Sequence, residues 1–289
     1  MVNSLNGMAE RFREMLAAPG VIQLPGCYDT LSAMLLEQAG FSAVFLSGYG
    51  FAASFFGNPD IGLTTLTETV LLSKNLTSAL NVPLVVDADN GYGNEDNVLR
   101  TVHELEHTGA AAMIMEDQVS PKRCGHTEDK QILPLSTFMR KLECALAGRK
   151  TPLTIVARTD SMDLNDAISR AKTFHAAGAD VTLIDGLRSL DDAKRVADEV
   201  PGPKQINLIY GGKTPALSAE ELHAMGFKIV LYSTPALFLA GAALKKGLRT
   251  LKETGDLRSI GDHGMLFKEF QEFIERRYLR KLSDKNIKV

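Results

Sequence analysis

Residues 84–116 read LVVDADNGYGNEDNVLRTVHELEHTGAAAMIME, in which a helical pattern separates two short apolar runs. The runs Leu84–Asp89 and Ala112–Glu116 have the length and composition of buried strands. Between them, residues 94–108 follow the apolar spacing of a helix and end at Gly109, a residue type that often terminates helices. This segment is therefore predicted to be a strand–helix–strand unit with parallel strands.

Similar apolar runs recur along the whole chain with helical patterns between them. Eight such units in 289 residues predict a closed barrel rather than an open sheet, because α/β barrels of ~250 residues commonly form one domain. We predict a single (β/α)8-barrel (TIM barrel) domain over residues 1–289. The expected strands are Val21–Pro25, Ala43–Ser47, Leu84–Asp89, Ala112–Glu116, Leu153–Arg158, Val181–Asp185, Ile206–Tyr210 and Ile229–Tyr232.

Two further helical patterns follow the eighth run, at residues 235–254 and 265–282. A minimal barrel does not need them. We expect the last helix to pack on another subunit.

Composition excludes several classes of protein. Apolar residues make up 45% and charged residues 23%, as in an ordinary globular protein with a large core. The net charge of −3 has no basic cluster that would favour nucleic acid or an anionic membrane. No run of 18 apolar residues and no signal peptide is found, and three widely spaced cysteines do not suggest disulfides, so we expect a cytoplasmic protein. Cys27 and Cys144 are expected to be buried thiols.

Polar residues close six of the eight apolar runs. In a barrel of this type the carboxyl ends of the strands meet at one rim, which holds the active site. The expected site residues at these ends are Ser47, Gly48, Tyr49, Asp87, Asp89, Glu116, Arg158, Asp185 and Asn207.

Three of these residues, Asp87, Asp89 and Glu116, are carboxylates at neighbouring strand ends. Their repulsion favours a bound hard cation, and Mg²⁺ suits a site with few protein ligands. The alternative is that Asp87 or Asp89 caps the following helix. Asp60 is either a fourth acid of this site, in an outer position, or a turn residue.

The loop of residues 117–134 is long and polar, as functional loops often are. It contains Lys122, Arg123, Cys124, Gly125 and His126 in succession. Neighbouring cations lower the pKa of a cysteine, so Cys124 is a candidate acid or base, with Lys122 and His126 as further catalytic candidates. The alternative is an exposed basic loop with an incidental cysteine.

The other histidines, on predicted helices or at their ends, are expected to pack or face solvent: His103, His107, His175, His223 and His263.

Arg158 closes an otherwise apolar run, where a charged side chain needs a partner. It is predicted to bind a substrate carboxylate through its planar fork. The alternative is a salt bridge to Glu116 or Asp87. Ser47, Gly48 and Tyr49 offer a hydroxyl and backbone N–H groups for a second carboxylate, so the expected substrate is a dicarboxylate.

These motifs resemble the isocitrate lyase/phosphoenolpyruvate mutase superfamily. Residues 86–93 (VDADNGYG) are similar to its metal-binding strand, residues 116–118 (EDQ) to its second acidic pair, and residues 122–126 (KRCGH) to the signature of its lyase branch. Mutase and phosphonopyruvate hydrolase members lack the Cys-Gly-His loop. The resemblance extends from about Gly26 to Leu237.

The resemblance implies a homotetramer with swapped C-terminal helices and a Mg²⁺ or Mn²⁺ ion held mainly by Asp87. It also implies that a 2-hydroxy acid collapses to a 2-oxo acid and releases a carbanion, which Cys124 protonates. The base that removes the hydroxyl proton is not assigned by the resemblance, and Tyr49 is a candidate. Cys124, Gly125, Arg158 and Asn207 are expected to contact the substrate.

The expected substrate class depends on departures from the family pattern. Phe238 and about Gly264 stand where methylisocitrate lyases have arginines for a third carboxylate, and Asp185 replaces a glutamate. These changes favour a small alkyl-substituted dicarboxylate, with 2,3-dimethylmalate, yielding pyruvate and propionate, as the best candidate. The alternatives are oxaloacetate hydrolysis, which Ser233 keeps open, methylisocitrate cleavage, and a non-catalytic barrel that binds organic acids.

Overall fold

A closed barrel forms the centre of the protein. The computed structural model describes residues 2–125, 127, 130–261 and 264–284. Within these ranges, eight parallel strands pair in chain order, and the eighth pairs with the first. The predicted (β/α)8 barrel is therefore confirmed. The strands are β1 (Ile22–Cys27), β2 (Val44–Leu46), β3 (Leu84–Asp87), β4 (Ala112–Glu116), β5 (Thr154–Thr159), β6 (Val181–Ile184), β7 (Lys204–Leu208) and β8 (Ile229–Tyr232).

The strand bounds agree with the predicted ones for β4 and β8 and differ most at β7. β7 begins at Lys204, two residues before the predicted Ile206. The Lys204 ammonium donates to the carbonyl oxygens of Val200 and Gly202 at 2.9 and 3.2 Å, so a polar residue begins a buried strand. Because lysine is charged, the apolar pattern did not include Lys204, and the predicted strand began two residues too late.

Helices alternate with the strands as predicted. They are α1 (Val2–Ala17), α2 (Thr30–Gln38), α3 (Gly48–Phe51), α4 (Leu66–Ala79), α5 (Glu95–Thr108), α6 (Leu135–Gly148), α7 (Leu164–Ala176), α8 (Leu190–Glu199), α9 (Ala219–Met225), α10 (Pro235–Thr254) and α11 (Phe267–Asp284). A π-helix, Ala52–Phe56, follows α3, and a 3₁₀-helix, Leu257–Ile260, follows α10.

Helix α5 illustrates why the sequence signals worked. The side chain of Asn94 caps its first turn by accepting from the backbone N–H of Asn97 at 3.2 Å. Gly109 ends the helix with a φ of 80°, a left-handed conformation that glycine adopts without strain.

The interior of the barrel is filled by side chains that alternate along the strands, as the period of two requires. This layer is buried and apolar, and Phe12 of α1, which is fully buried, belongs to the same cluster. The inward-facing residues include Leu24, Phe45, Val85, Ile114, Val156, Leu183 and Leu231.

The contacts divide the chain into two compact units, Met1–Leu237 and Phe238–Val289. All eight strands belong to the first unit. The prediction of a single domain over residues 1–289 stays a prediction. Among the described residues, no helix has the length and apolar character needed to cross a membrane.

Candidate active site

A pocket opens at the carboxyl ends of the strands, where the sequence placed the polar residues. Its floor is the upper layer of the apolar barrel interior, and its walls carry acids, hydroxyls, a thiol and a guanidinium. The described lining residues are Phe45, Ser47, Tyr49, Asp60, Asp87, Ile114, Cys124, Gly125, Arg158, Leu183, Asp185, Asn207, Ile209, Leu231 and Ser233. Nine of the predicted site residues therefore line one pocket.

Asp87 lies at the end of β3, at the base of this pocket. Its Oδ2 atom accepts from the backbone N–H of Gly48 at 3.2 Å, and its Oδ1 atom accepts from that of Asp89 at 3.2 Å. A Cβ atom at Gly48 would lie 2.7 Å from Oδ2, so only glycine permits this approach. The Gly48 N–H, predicted to bind a substrate carboxylate, binds Asp87 instead.

The same segment explains the role of Ser47. Its hydroxyl accepts from the backbone N–H of Gly50 at 3.1 Å and caps the short helix α3. Tyr49 follows in the first turn and lines the pocket. Substrate contacts by Ser47 and Tyr49 stay predictions.

Asp89 was predicted to end the third strand, but it lies in the turn that follows β3. Its φ is 45°, in the left-handed region, so the strand ends at Asp87. The ammonium of Lys122 lies 2.8 Å from Asp89 and 2.7 Å from Asp60. Burial raises the pKa of Asp89 to about 6, although Lys122 lowers it. The helix-cap alternative for both acids is excluded, since Asn94 caps α5.

Asp60 is therefore more than a turn residue. It shares the Lys122 ammonium with Asp89, and the side chain of Lys122 is 4% exposed. Lys122 was predicted to be catalytic. It is not one of the described residues that line the pocket. Its observed contacts fix the loop of residues 117–134 to the end of β3.

Arg158 is surrounded by carboxylates. Its Nε and Nη2 atoms donate to the two oxygens of Asp160 at 2.9 and 3.0 Å. Nη2 also lies 2.8 Å from Asp185, and Nη1 lies 3.2 Å from Glu116. The planar fork of Arg158 thus binds Asp160, and the salt bridge to Glu116 that was the alternative prediction is present. Binding of a substrate carboxylate by Arg158 stays a prediction.

A chain of hydrogen bonds continues from this cluster across the pocket. Asn207 of β7 donates through Nδ2 to Asp185 at 2.9 Å. Ser233, after β8, donates through its hydroxyl to Oδ1 of Asn207 at 2.6 Å. Asn207 is thereby oriented by groups on both sides, and its predicted substrate contact remains to be tested.

Cys124 lines the pocket together with Asp87 and Arg158. The next residue, Gly125, packs so closely that a Cβ atom there would lie 1.9 Å from Oδ2 of Asp185 and 2.4 Å from Nη2 of Arg158. His126, predicted to be catalytic, lies outside the described residues. Cys124 is thus held at the carboxyl ends of the strands, and not in an exposed basic loop.

The two remaining cysteines differ from each other. Cys27 is fully buried, and burial raises the pKa of its thiol. Cys144, on α6, is only partly buried, so the expectation of a buried thiol was wrong for this residue. Its thiol donates to the carbonyl oxygen of Glu95 at 3.3 Å. None of the three cysteines forms a disulfide.

The donor set is compatible with a divalent cation. Glu116 is 1% exposed, and neither of its carboxylate oxygens has a hydrogen-bond partner among the described residues. Burial raises its pKa well above the usual range, although Arg158 lowers it. A buried carboxylate without hydrogen bonds is costly unless it is neutralised. Nη1 of Arg158 lies 3.2 Å from Glu116. This guanidinium is shared with Asp160 and Asp185, so a further cation would lower that cost. Glu116 and Asp87 therefore fit a site for such an ion.

The arrangement differs from the predicted cluster of three acids. In the described part of the chain, no three or more Asp, Glu, His and Cys side chains are grouped closely enough to hold a metal ion. The ammonium of Lys122, and not a shared metal ion, is the cation that the structure places beside Asp89 and Asp60. Metal binding by Asp87, Asp89, Glu116 and Asp60 stays a prediction.

Two charged residues of this region, Lys130 and Asp160, were not predicted to have a role in the site. The Lys130 ammonium lies 3.0 Å from Oδ1 of Asp160 and donates to the Gly125 carbonyl at 2.8 Å. Asp160 follows β5 directly, so its place at a strand end was a usable signal. Lys130 carried none, because a lysine in a polar loop usually faces solvent.

A (β/α)8 barrel that gathers ionisable side chains at the carboxyl ends of its strands has the organisation of an enzyme. Residues 12–252 match the family model "Phosphoenolpyruvate phosphomutase". The chain belongs to this family, within the isocitrate lyase/phosphoenolpyruvate mutase superfamily, as the sequence motifs predicted.

Three relatives illustrate the range of activities in this family. The chain is 38% identical to a chloroplastic carboxyvinyl-carboxyphosphonate phosphorylmutase of Arabidopsis thaliana, over 94% of this chain and 82% of the relative. It is 34% identical to 2,3-dimethylmalate lyase of Eubacterium barkeri, over 95% and 96%. It is 37% identical to 2-methylisocitrate lyase of Bacillus subtilis (strain 168), over 91% and 87%.

Solved structures agree with the fold. Oxaloacetate acetylhydrolase in complex with 3,3-difluorooxalacetate superposes with a TM-score of 0.90 at 29% identity, covering 99% of each chain. 2,3-Dimethylmalate lyase superposes with a TM-score of 0.87 at 32% identity, covering 96% of this chain and 93% of the other. Phosphonopyruvate hydrolase with oxalate and Mg²⁺ gives a TM-score of 0.84 at 25% identity, covering 96% and 98%.

Proposed function

We propose that the chain cleaves a carbon–carbon bond in a small alkyl-substituted 2-hydroxy dicarboxylate, with 2,3-dimethylmalate as the best candidate and pyruvate and propionate as products. The observation that carries the proposal is that a thiol, Cys124, shares one pocket with Asp87 and Arg158. This combination suits a lyase, because the thiol can supply a proton to the carbon released from the substrate. Similarity to 2,3-dimethylmalate lyase supports the same substrate.

The lining of the pocket supports small alkyl groups on the substrate. Five of the described lining residues are large and apolar, and burial of methyl groups against them is favourable. Arg158 is the one cationic side chain among the described lining residues, and three carboxylates already surround it. A tricarboxylate would bring a third anion. Apart from Arg158, the described lining residues include no cation that could bind it. The apolar residues are Phe45, Ile114, Leu183, Ile209 and Leu231.

The charges of the pocket also support a divalent cation. Its described lining contains three acids, Asp60, Asp87 and Asp185, against the single cation Arg158. A substrate dianion would be repelled unless another positive charge were present. We propose that Asp87 and Glu116 hold Mg²⁺ or Mn²⁺. The bound ion would offset the negative charge that develops on the substrate during bond cleavage.

The side chains of this pocket then have distinct tasks. Arg158 and Asn207 orient one substrate carboxylate, and Tyr49 is the candidate base for the 2-hydroxyl proton. Loss of that proton lets the C2–C3 bond break, which leaves a 2-oxo acid and a carbanion at C3. Cys124 donates its proton to C3, so the second product leaves as a monocarboxylate with one new C–H bond.

The second candidate is hydrolysis of oxaloacetate. The hydroxyl of Ser233 lines the pocket and donates to Asn207, and a hydroxyl at this place suits a hydrated ketone. The similarity to oxaloacetate acetylhydrolase favours this alternative. Methylisocitrate cleavage fits the site less well, because the third carboxylate of this substrate needs a further cation. A non-catalytic barrel fits less well, because it does not need a thiol in the pocket.

The proposal is tested by incubating the protein with Mg²⁺ and 2,3-dimethylmalate, oxaloacetate or 2-methylisocitrate, and by measuring 2-oxo acid, oxalate and acetate. We expect kcat/KM for 2,3-dimethylmalate to exceed that for 2-methylisocitrate about 10- to 100-fold, the effect of one charged hydrogen bond. Better cleavage of 2-methylisocitrate would contradict the assignment, and dominant oxalate formation would establish the second candidate.

Two controls belong to this experiment. Excess chelator is expected to abolish turnover and added Mg²⁺ to restore it. Cys124→Ser is expected to remove most turnover, whereas Cys144→Ser, a change on α6 outside the described lining of the pocket, is expected to leave it unchanged. Full turnover of a metal-free protein, or of Cys124→Ser, would reject the corresponding role.

We further propose that the second unit, Phe238–Val289, binds another copy of this chain and exchanges its C-terminal helix in a homotetramer. Large exposed apolar side chains in one segment usually mark an interaction surface. Light scattering is expected to give a multiple of the 31.4 kDa chain mass, and Phe267→Glu to reduce it. A monomer at micromolar concentration would contradict this proposal. The exposed residues include Leu239, Leu244, Leu248, Leu257, Leu266 and Phe267. Three cysteines without a disulfide suit a reducing, cytoplasmic compartment, which we propose as the location of the protein.

A further inference from the structure

The loop that carries Cys124 is attached to the barrel at its two ends. The Asp117 carbonyl accepts from the Leu133 N–H at 2.8 Å, and Gln118 bridges to Ile132. The guanidinium of Arg170 lies 3.2 Å from Asp117 and donates to the Leu133 carbonyl at 3.0 Å. These contacts fix the two ends of the loop but not its middle, where Cys124 lies.

Two buried lysines hold the middle of the loop, one on either side of Cys124. Lys122 binds Asp60 and Asp89, on the β3 side of the pocket. Lys130 binds Asp160, after β5, and its side chain is 3% exposed. Burying an ammonium is costly unless it is paired, so each lysine is committed to these partners.

Lys130 connects two parts of the site that the sequence separates widely. Its Nζ atom donates to the carbonyl oxygen of Gly125, the residue after Cys124, at 2.8 Å and to Oδ1 of Asp160 at 3.0 Å. The same oxygen of Asp160 accepts from Nη2 of Arg158 at 3.0 Å. One ammonium therefore ties the peptide beside the thiol to the carboxylate that orients the guanidinium.

Lys130 itself does not reach the described lining of the pocket. It lines a separate cavity on the other side of Gly125, together with Ser161, Met162 and Asp185. A direct reaction with the substrate is therefore not its role. Its contacts can act on the reaction only through Cys124 and Arg158.

We propose that Lys130 is a positioning residue that ties the Cys124–Gly125 peptide to the Arg158–Asp160 pair and so fixes the place of the Cys124 thiol in the pocket. The expected effect of Lys130 on turnover rests on the proposed function. The expected effect on the reactivity of the Cys124 thiol does not. Replacement by methionine removes the donor from the Gly125 carbonyl but leaves Asp160 paired with Arg158. The barrel is therefore expected to fold without Lys130, while the peptide at Cys124 loses its tether.

The test measures alkylation of Cys124 by iodoacetamide in the Cys144→Ser protein, with labelled peptides quantified by mass spectrometry. Lys130→Met is expected to raise the Cys124 rate about 10-fold or more, because a charged hydrogen bond is lost. Lys130→Arg is expected to restore part of the protection. The matched control is Lys172→Met, at a 46%-exposed lysine on α7, with no expected change.

Cys27, which is fully buried in the barrel, reports on global unfolding in the same sample. A parallel rise in Cys27 labelling, or an unchanged Cys124 rate in Lys130→Met, would overturn the proposal. Because alkylation of Cys124 needs no substrate, this measurement tests the positioning role even if the proposed reaction is wrong. For the activity that the substrate panel identifies, Lys130→Met is expected to lower kcat more than it raises KM. An unchanged kcat with faster alkylation would reject the positioning role.

Discussion

Gly125→Ala is expected to lower kcat/KM at least about 100-fold while the melting temperature changes little, because misplacement of a catalytic group by about 1 Å has an effect of that size. A Cβ atom at this position would lie 1.9 Å from Oδ2 of Asp185, 2.4 Å from Nη2 of Arg158 and 2.9 Å from Oδ1 of Asp160. All three atoms belong to a buried ionic cluster that cannot yield easily. The Cys124–Gly125 peptide must therefore move away from the pocket.

The matched control is Gly7→Ala. Gly7 lies within α1, and a Cβ atom there would meet nothing within 4 Å. Alanine is the better helix former, by up to about 1 kcal/mol, so this variant is expected to keep full turnover and equal or higher stability. Steady-state kinetics and thermal unfolding of both variants decide the matter. Parental activity in Gly125→Ala would mean that this peptide lies elsewhere during turnover.

Arg158→Met is expected to lower the free energy of unfolding by about 3 to 5 kcal/mol, as does removal of one partner from a buried ion pair. The guanidinium lies within 3.2 Å of Glu116, Asp160 and Asp185, and all three carboxylates are buried. Lys130 can compensate only Asp160. The variant therefore leaves buried negative charge without a partner.

Urea unfolding measures this effect. Arg195→Met serves as the control, since Arg195 is 45% exposed and pairs with Glu199 at the surface, where an ion pair contributes at most about 1 kcal/mol. Adding Asp160→Asn to Arg158→Met is expected to recover part of the stability, because it removes one unpaired charge. A loss below about 1 kcal/mol in Arg158→Met would show that the three carboxylates are protonated or solvated without the guanidinium.

The fold was largely predictable because its signals are local. Apolar runs, helical spacing and terminal glycines such as Gly109 lie within a few residues of the features that they predict. The end of β3 was missed because Asp89 adopts a left-handed φ, which no apolar pattern reveals. The start of β7 was missed because the aliphatic part of Lys204 is buried while its ammonium binds carbonyl oxygens.

The chemical groups at the pocket could be predicted from the order of residues alone, because the alternation of strand and helix brings all carboxyl ends of the strands to one rim. Asp87, Arg158 and Asn207 were found in this way, and Cys124 was found from the cationic residues beside it in the loop. The structure places all four in one pocket.

Only the tertiary structure decided how these charges pair. Glu116 and Asp87 were named from the sequence as possible partners of Arg158. Asp160 and Asp185 were not, and Lys122 was given no acidic partner. Closure of the barrel brings Asp160 and Asp185 to Arg158, and the path of the loop brings Lys122 to Asp60 and Asp89. Coulomb energy and hydrogen bonding depend on separations of a few ångströms, and distance along the chain does not encode them.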